Sequence, residues 1–308
     1  MRRTPVEDSR TISLPLLLLI ALASLPALGC GGDDVSADPT SLRRTTRGEV
    51  IGSQAEGAQQ WRGIPFAAST AGANRWRAPQ PPAPWSGVRE ALAFGAQCPQ
   101  LDMNSGDPSG DEDCLTLNVF APAAGPDEVP RGPERLPVMV FIHGGGNTIG
   151  SAEIYDASRL AAENDVVVVT VHYRLGIFGW FSHPALREGT ASLDDASGNY
   201  GTLDLVQSLE WVRDNIDAFG GDPGRVTIFG ESAGGINVFS LLLSPRAKGL
   251  FHGAISQSGI ATSFTRAEAE NPSDAATNPG TSGSSSDVIS SLLISDGRAA
   301  SRDEARSV

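Results

Sequence analysis

The chain has 308 residues, which is enough for one large or two ordinary domains, and its 40% content of hydrophobic residues suits a globular protein with a buried core. Its formal net charge of −13 leaves no basic surface that could displace the counterions of a nucleic acid, so we exclude nucleic-acid partners. The four histidines and three cysteines follow no zinc-binding spacing, and we expect neither a metal nor any other cofactor.

The first 29 residues have the pattern of an export signal. Arginines precede an apolar run over residues 12–28, which two prolines interrupt and which ends in small residues. A membrane-spanning helix is the alternative, but it needs about 20 apolar residues. We therefore predict a secretory signal peptide over residues 1–29.

The end of this segment, Ala27-Leu28-Gly29-Cys30, resembles the cleavage box of bacterial lipoproteins. In such a box the cut precedes a cysteine that then carries lipid. We predict an exported protein that contacts the membrane of a bacterial envelope only through lipid on Cys30, with residues 30–46 as the lipidated Cys and its polar tether. Plain secretion is the alternative.

Export also bears on the two remaining cysteines, Cys98 and Cys114. An oxidising compartment favours a disulfide between them. Such a bond would close a loop of roughly 15 residues and contribute about 3 kcal/mol to stability. Two free buried thiols are the alternative that the residues alone leave open.

Short strands and loops make up the first part of the domain. A strand–turn–strand pattern, a Pro-rich loop, a further strand and a Pro/Gly-rich loop are predicted, in that order, at residues 48–68, 78–85, 112–120 and 121–136.

A continuous apolar run at residues 138–142 is typical of a strand buried on both faces. It leads into His143-Gly144-Gly145-Gly146, where three glycines free the backbone to turn its N–H groups outward. Such groups can hold the oxyanion of an acyl-transfer intermediate. An ordinary flexible turn is the alternative, but a Gly run at the end of a strand favours the oxyanion hole in a chain that also has a serine elbow.

The elements then alternate between helices and strands. A short helix at 158–164, a buried strand at 166–171, a long helix and a last strand at 254–257 are expected. The long helix is indicated by a 4-3-4 spacing of apolar residues, namely Leu205, Leu209, Val212 and Ile216.

The most informative stretch is Gly230-Glu231-Ser232-Ala233-Gly234. A β-type apolar run precedes it and an apolar helical stretch, residues 236–243, follows it. A tight strand-to-helix turn raises Ser232 above the sheet edge, where a base can reach its hydroxyl. The following helix points its N-terminal N–H groups at the same place. Five such residues also arise by chance in a chain with 35 glycines, but the flanking strand and helix favour a catalytic serine.

Strands that alternate with helices predict the α/β class, with a mostly parallel sheet covered by helices on both faces. Functional residues in such sheets lie at the carboxyl ends of the strands. Gly144 and Ser232 both follow strands, so we expect them at the same edge.

These residues resemble the type-B carboxylesterases, the cholinesterase-like branch of the α/β-hydrolases, from about Gly48 to Gly259. The resemblance rests on several segments in the family's order, which are residues 62–66, 112–119, 173–176, 199–201, 219–234 and 251–259. It implies an α/β-hydrolase domain whose N-terminal part spans residues 47–265. It also implies hydrolysis of a small-molecule carboxylic ester through an acyl-enzyme on Ser232. The implied oxyanion hole consists of the N–H groups of Gly144, Gly145 and Ala233. A Cys98–Cys114 disulfide is implied as well, and the departure is Asn147, where an aromatic residue often follows the glycines.

A serine nucleophile needs a histidine base and an orienting carboxylate, which in this fold follow the serine in the chain. His252 is the single histidine after Ser232, and we expect it to pack elsewhere because the elbow helix carries the chain away from the active edge. Residues 266–308 are rich in Ala, Ser and Gly, so we expect a disordered tail whose acids, such as Glu270 and Asp287, are solvated.

The family's C-terminal half is missing from this pattern, so we expect a fold truncated at its C-terminal end, with an open sheet edge and exposed apolar surface. The leading hypothesis is a serine carboxylic ester hydrolase that acts on uncharged or mildly polar esters. An esterase-like binding module without catalysis and a non-functional fragment are the alternatives.

Overall fold

The computed structural model describes residues 35–188, 190 and 192–305. The predicted signal peptide and Cys30 lie outside these residues. The strands of the described part are β1 (Arg43–Arg44), β2 (Glu49–Ile51), β3 (Ser53–Ala55), β4 (Ala58–Pro65), β5 (Val88–Glu90), β6 (Gln100–Leu101), β7 (Pro108–Ser109), β8 (Thr116–Pro122), β9 (Leu136–Ile142), β10 (Val167–Val171), β11 (Gly221–Glu231) and β12 (Gly253–Gln257).

The helices of the same part are α1 (Ser158–Asn164), α2 (Gly176–Gly179), α3 (Pro184–Arg187), α4 (Tyr200–Asn215), α5 (Ala233–Leu243), α6 (Arg266–Glu270), α7 (Ser285–Ser295) and α8 (Arg302–Ala305). Short 3-10 turns lie at Pro39–Ser41, Gly72–Asn74, Gly132–Glu134, Ala152–Ile154, Ile216–Phe219 and Pro245–Ala247.

A seven-stranded sheet forms the centre of the domain, with the order β12-β11-β9-β10-β8-β4-β3. The four strands from β12 to β10 pair in parallel, whereas β8, β4 and β3 pair antiparallel. The predicted α/β class is confirmed, and the sheet is mixed rather than mostly parallel. The reason is that the first strands are connected without an intervening α-helix, whereas α1, α4 and α5 precede β10, β11 and β12 as crossover helices.

Both faces of the sheet are covered by helices, as the continuous apolar strands predict. In β10, Val167, Val169 and Val171 belong to one buried cluster together with residues of α4 and α5. Val168 belongs to a second cluster with Ala161 of α1. Side chains alternate between the faces of a strand, so a strand covered on both faces is apolar at nearly every position; the exception in β10 is Thr170, which accepts a hydrogen bond from Asn118.

A disulfide joins Cys98 to Cys114, with an S–S distance of 2.00 Å and a sequence separation of 16 residues. Both residues are buried in the main apolar cluster. The pairing that the family resemblance implied is therefore present, and closing a loop of this length contributes about 3 kcal/mol.

The predicted tether over residues 30–46 differs from the structure at its C-terminal part. Arg43 is 6% exposed, its guanidinium donates to Gln59 at 2.7 Å, and it lies 5.1 Å from the ring centre of Trp61. The described part of this segment therefore packs on the domain, because aromatic and amide partners compensate the burial of the arginine.

The tail also differs from the predicted disordered segment, since it contains α6, α7 and α8. Thr265 and Glu268 form a capping box at the start of α6. Glu270 is 8% exposed and forms an ion pair with Arg187, so it is not the solvated charge that the composition suggested. Asp287 is 2% exposed and accepts a hydrogen bond from Ser273. Caps and paired carboxylates allow a segment without a long apolar repeat to form helices.

One side of the sheet is open in the described residues, where β12 pairs only with β11. Ile255 of β12 is 46% exposed, and Ile260 and Phe264 beyond it are 64% and 69% exposed. This agrees with the predicted open edge.

Within the described part of the chain, no helix combines the length and apolarity that crossing a membrane requires.

Candidate active site

The register of the central strands brings the two glycine-rich turns together. Ile142, the last residue of β9, pairs with Gly230 of the parallel strand β11. The loop after β9 and the turn after β11 therefore leave the sheet side by side. A Cβ built on Gly144 would lie 3.4 Å from the Cβ of Ser232.

Ser232 occupies a strained turn between β11 and α5. Its backbone angles are φ 56° and ψ −118°, which a non-glycine residue rarely adopts. The Ser232 N–H donates to the Gln257 carbonyl at 2.9 Å, and its own carbonyl accepts from the Ile236 N–H at 3.0 Å. These bonds hold the turn, and in the described residues the Ser232 hydroxyl makes no hydrogen bond.

The loop after β9 folds back on itself. Gly145 has φ 105°, and its carbonyl accepts from the N–H groups of Thr148 and Ile149 at 3.1 and 3.0 Å. A Cβ on Gly145 would lie 2.1 Å from the Ile149 carbonyl oxygen, so only glycine fits here. The conformation explains why the chain has glycines at this point.

Three backbone N–H groups beside Ser232 have no acceptor within the described part of the protein. They belong to Gly144, Gly145 and Ala233. Ala233 is the first residue of α5, and the first N–H groups of a helix have no partner inside it. The structure thus places Ser232 against Gly144 of the loop that carries two of the predicted oxyanion donors, and directly before Ala233, the third.

None of the four histidines hydrogen-bonds to Ser232 in the described residues. The Nδ1 of His252 accepts from the Val226 N–H at 3.2 Å. At about 3.3 Å per residue, Val226 lies about 20 Å along the strand from Ser232. His183 caps α3, where its Nδ1 accepts from the Ala185 N–H.

Two histidines are buried near the start of the loop after β9, residues 143–147, which we call the oxyanion loop. His143 Nδ1 lies 2.8 Å from the Gly144 carbonyl, and the His143 ring stacks on Tyr173 at 4.4 Å. The two ring nitrogens of His172 face the hydroxyls of Thr116 and Ser151 at 3.2 and 3.1 Å. Burial lowers the pKa of His143 to about 4, and burial together with the nearby His143 lowers the pKa of His172 to about 3.

These two pKa values predict a loss of stability in mild acid. Between pH 6.5 and 5 the unfolded chain binds protons at both histidines and the folded chain does not, so the free energy of unfolding falls as the pH falls. The slope approaches about 1.4 kcal/mol per pH unit for each histidine. Urea unfolding at pH 7, 6 and 5 measures it. His172→Gln should reduce the slope by about half and the matched control His183→Gln should not; equal slopes in all three proteins would contradict the assignment.

Sequence reasoning missed several polar residues around the loop. Asn237 of α5 and Asn147 hydrogen-bond to each other, and Tyr173 donates to the His143 carbonyl at 2.7 Å. The carboxylate of Glu231 lies against Gly144, 3.0 Å from a Cβ built there. The sequence signals were the departure from the family pattern at Asn147 and the positions of Tyr173 and Glu231 within family segments. In the described residues, no group of three or more His, Cys, Asp or Glu side chains has a metal-binding arrangement.

Comparison with known families agrees with this geometry. The model of the Carboxylesterase family matches residues 39–287. The chain belongs to the carboxylesterase family. This confirms the predicted resemblance to carboxylesterases, and the family match extends into the segment predicted as tail.

Similar carboxylesterases occur in bacteria and mammals. The chain is 44% identical to the para-nitrobenzyl esterase of Bacillus subtilis (strain 168) over 238 residues, which are 75% of this chain and 46% of that protein. It is 41% identical to the cocaine esterase of Homo sapiens over 298 residues, 88% of this chain and 48% of that protein.

Solved structures of esterases are also similar to this one. A structure titled PNB esterase superimposes with a TM-score of 0.68 at 39% identity and covers 83% of this chain and 49% of its own. A carboxylesterase of Geobacillus stearothermophilus superimposes with a TM-score of 0.60 at 40% identity, over 70% of this chain and 43% of its own. The chain therefore spans about half the length of these relatives.

Proposed function

We propose that this chain supplies the nucleophile and the oxyanion hole of a serine carboxylic ester hydrolase. The observation that carries the proposal is the contact of Ser232 with Gly144, at a place where the N–H groups of Gly144, Gly145 and Ala233 have no acceptor among the described residues. A hydroxyl on a strained turn beside a cluster of free donors is the arrangement that acyl transfer requires.

In the proposed reaction, the Ser232 oxygen attacks the carbonyl carbon of an ester. The carbonyl oxygen takes up the electron pair, and the three N–H groups donate to the resulting oxyanion. The hydroxyl proton of Ser232 passes to solvent. Collapse of the intermediate breaks the ester C–O bond, the alkoxide takes a proton from solvent and leaves as the alcohol, and water then hydrolyses the acyl-enzyme to the acid and restores the Ser232 hydroxyl. None of the four histidines hydrogen-bonds to Ser232, so the proposal assigns the nucleophile and the oxyanion donors and no base.

The substrate that we propose is an uncharged or mildly polar carboxylic ester. The relatives named para-nitrobenzyl esterase and cocaine esterase support an ester substrate. We also propose that the protein is exported and carries lipid on Cys30. The Cys98–Cys114 disulfide supports export, because such bonds persist in oxidising compartments.

A fluorophosphonate probe tests the role of Ser232. The serine oxygen forms a bond to phosphorus, the P–F bond breaks, and fluoride leaves while the hydroxyl proton passes to solvent. We expect the 308-residue chain to be labelled and Ser232→Ala to show only background labelling, as measured by intact mass and in-gel fluorescence.

Ser240→Ala is the matched control. Ser240 lies on α5, the helix that begins directly after Ser232, and its hydroxyl donates to the Ile236 carbonyl at 3.2 Å. Its substitution should leave the labelling unchanged. An unlabelled parent chain, or labelling that persists in Ser232→Ala, would overturn the assignment and favour a binding module.

A further inference from the structure

Two asparagines connect the oxyanion loop to the helix that follows Ser232. The Nδ2 of Asn237 donates to the Oδ1 of Asn147 at 2.8 Å, and the Nδ2 of Asn147 lies 3.4 Å from the Oδ1 of Asn237. The two residues are 90 positions apart in the chain. Asn237 is 2% exposed, so its amide depends on protein partners for its hydrogen bonds.

Asn237 also lies close to Tyr173. Burial raises the pKa of the Tyr173 phenol, and the neighbouring Asn237 amide acts on it in the opposite direction. The Tyr173 hydroxyl in turn donates to the His143 carbonyl at 2.7 Å. The Asn237 amide therefore bonds directly to the loop at Asn147, and its neighbour Tyr173 bonds to the loop at His143.

The backbone conformation at Asn147 shows why this end of the loop needs a stabilising interaction. Its φ of 58° lies in the left-handed region, which asparagine tolerates better than most residues but which still costs free energy. The Asn147 carbonyl accepts from the Gly176 N–H at 2.7 Å. The side-chain bond to Asn237 is the second interaction that stabilises this conformation.

We propose that Asn237 is a positioning residue that ties the oxyanion loop, residues 143–147, to α5. Because α5 begins directly after Ser232, the tie sets the position of the Gly144 and Gly145 donors relative to the Ala233 donor. The inference rests on the proposed function, since the spacing of these donors matters for catalysis only when they hold an oxyanion together.

The test compares Asn237→Asp with Asn147→Asp, which make the same chemical change at opposite ends of one hydrogen bond. Asn237→Asp removes the donor and places a carboxylate against the oxygen of Asn147. Asn147→Asp keeps the acceptor. Hydrogen exchange of the Thr148, Ile149 and Gly176 amides reports the order of the loop, since all three donate to loop carbonyls. Amides of β9 report global unfolding.

We expect Asn237→Asp to accelerate exchange at these three amides by about tenfold or more relative to β9, as the loss of a buried hydrogen bond allows. Asn147→Asp should change the exchange rate of these amides by less than about threefold, because its carboxylate still accepts the 2.8 Å hydrogen bond from Asn237. Asn237→Ala gives the same test without a new charge if Asn237→Asp does not fold.

Asn215→Asp is the matched control, since Asn215 is also 2% exposed and also donates through Nδ2, to Trp211 at 2.8 Å. It should leave loop exchange unchanged relative to β9. Unchanged exchange at the three amides in Asn237→Asp and Asn237→Ala would overturn the proposal, and so would equal acceleration by Asn147→Asp.

Fluorophosphonate labelling separates this inference from the proposed function. If the parent chain is labelled, Asn237→Asp should slow labelling of Ser232 by about tenfold, whereas Asn215→Asp should not. If the parent chain is not labelled, the proposed function fails, and the exchange data still decide whether Asn237 holds the loop.

Discussion

Replacing Asp204 with alanine is expected to lower the free energy of unfolding by about 3–5 kcal/mol. Arg174, just after β10, and Asp204, on α4, are 2% and 0% exposed. The Arg174 guanidinium donates to the two carboxylate oxygens at 2.8 and 2.7 Å, and its backbone N–H donates at 3.0 Å. Without Asp204 the buried guanidinium keeps one acceptor among the described residues, the Arg77 carbonyl, so its charge is no longer compensated.

Urea unfolding monitored by circular dichroism measures this effect. The matched control is Asp214→Ala on the same helix, because Asp214 pairs with Arg213 at 2.7 Å but the two side chains are 47% and 50% exposed. That change should cost less than about 1 kcal/mol. The double variant Arg174→Met with Asp204→Leu should be more stable than Asp204→Ala, since it leaves no buried charge. A cost below about 1 kcal/mol for Asp204→Ala would contradict the role of the pair.

Gly234→Ala is the second change with a large expected effect. An added Cβ would lie 2.0 Å from the Ile142 carbonyl oxygen and 2.9 Å from that of His143. These are backbone atoms at the junction of β9 and the oxyanion loop, so they cannot move aside without displacing the loop from Ser232. We expect a loss of about 3 kcal/mol in the free energy of unfolding, at the upper end for overpacking. Fluorophosphonate labelling of Ser232 should be lost with it.

Gly283→Ala provides the comparison, because a Cβ at Gly283 meets no atom within 4 Å. That substitution should be neutral or stabilise by up to about 1 kcal/mol through the unfolded chain. Unfolding midpoints of the two variants are compared with that of the parent. A Gly234→Ala protein with the parent's stability and labelling would show that the turn tolerates a side chain.

Elements with strong local signals were predictable from the sequence. The helix predicted at residues 158–164 is α1, and the strand predicted at 166–171 differs from β10 by one residue. All four apolar residues of the long predicted helix are buried, with Ile216 just beyond the end of α4. Periodicity, glycine turns and buried apolar runs depend on residues that are close together in the chain, so a short stretch of sequence is enough to predict these elements.

The antiparallel half of the sheet was harder to predict. The strand predicted at 112–120 is β8, which begins four residues later at Thr116 and pairs with β4 and β10. Residues 112–115 precede β8 and include Cys114 of the disulfide. The position of a strand end depends on its partner as much as on its own residues.

The sequence by itself determined the family, the serine turn and the glycine loop, because strained turns admit few residue types. Only the tertiary structure decided which polar side chains meet. Asn147 with Asn237, Arg174 with Asp204 and Arg187 with Glu270 are 90, 30 and 83 residues apart. A buried amide or charge is stable only beside a partner that compensates its desolvation, and that partner is known only once the chain has folded.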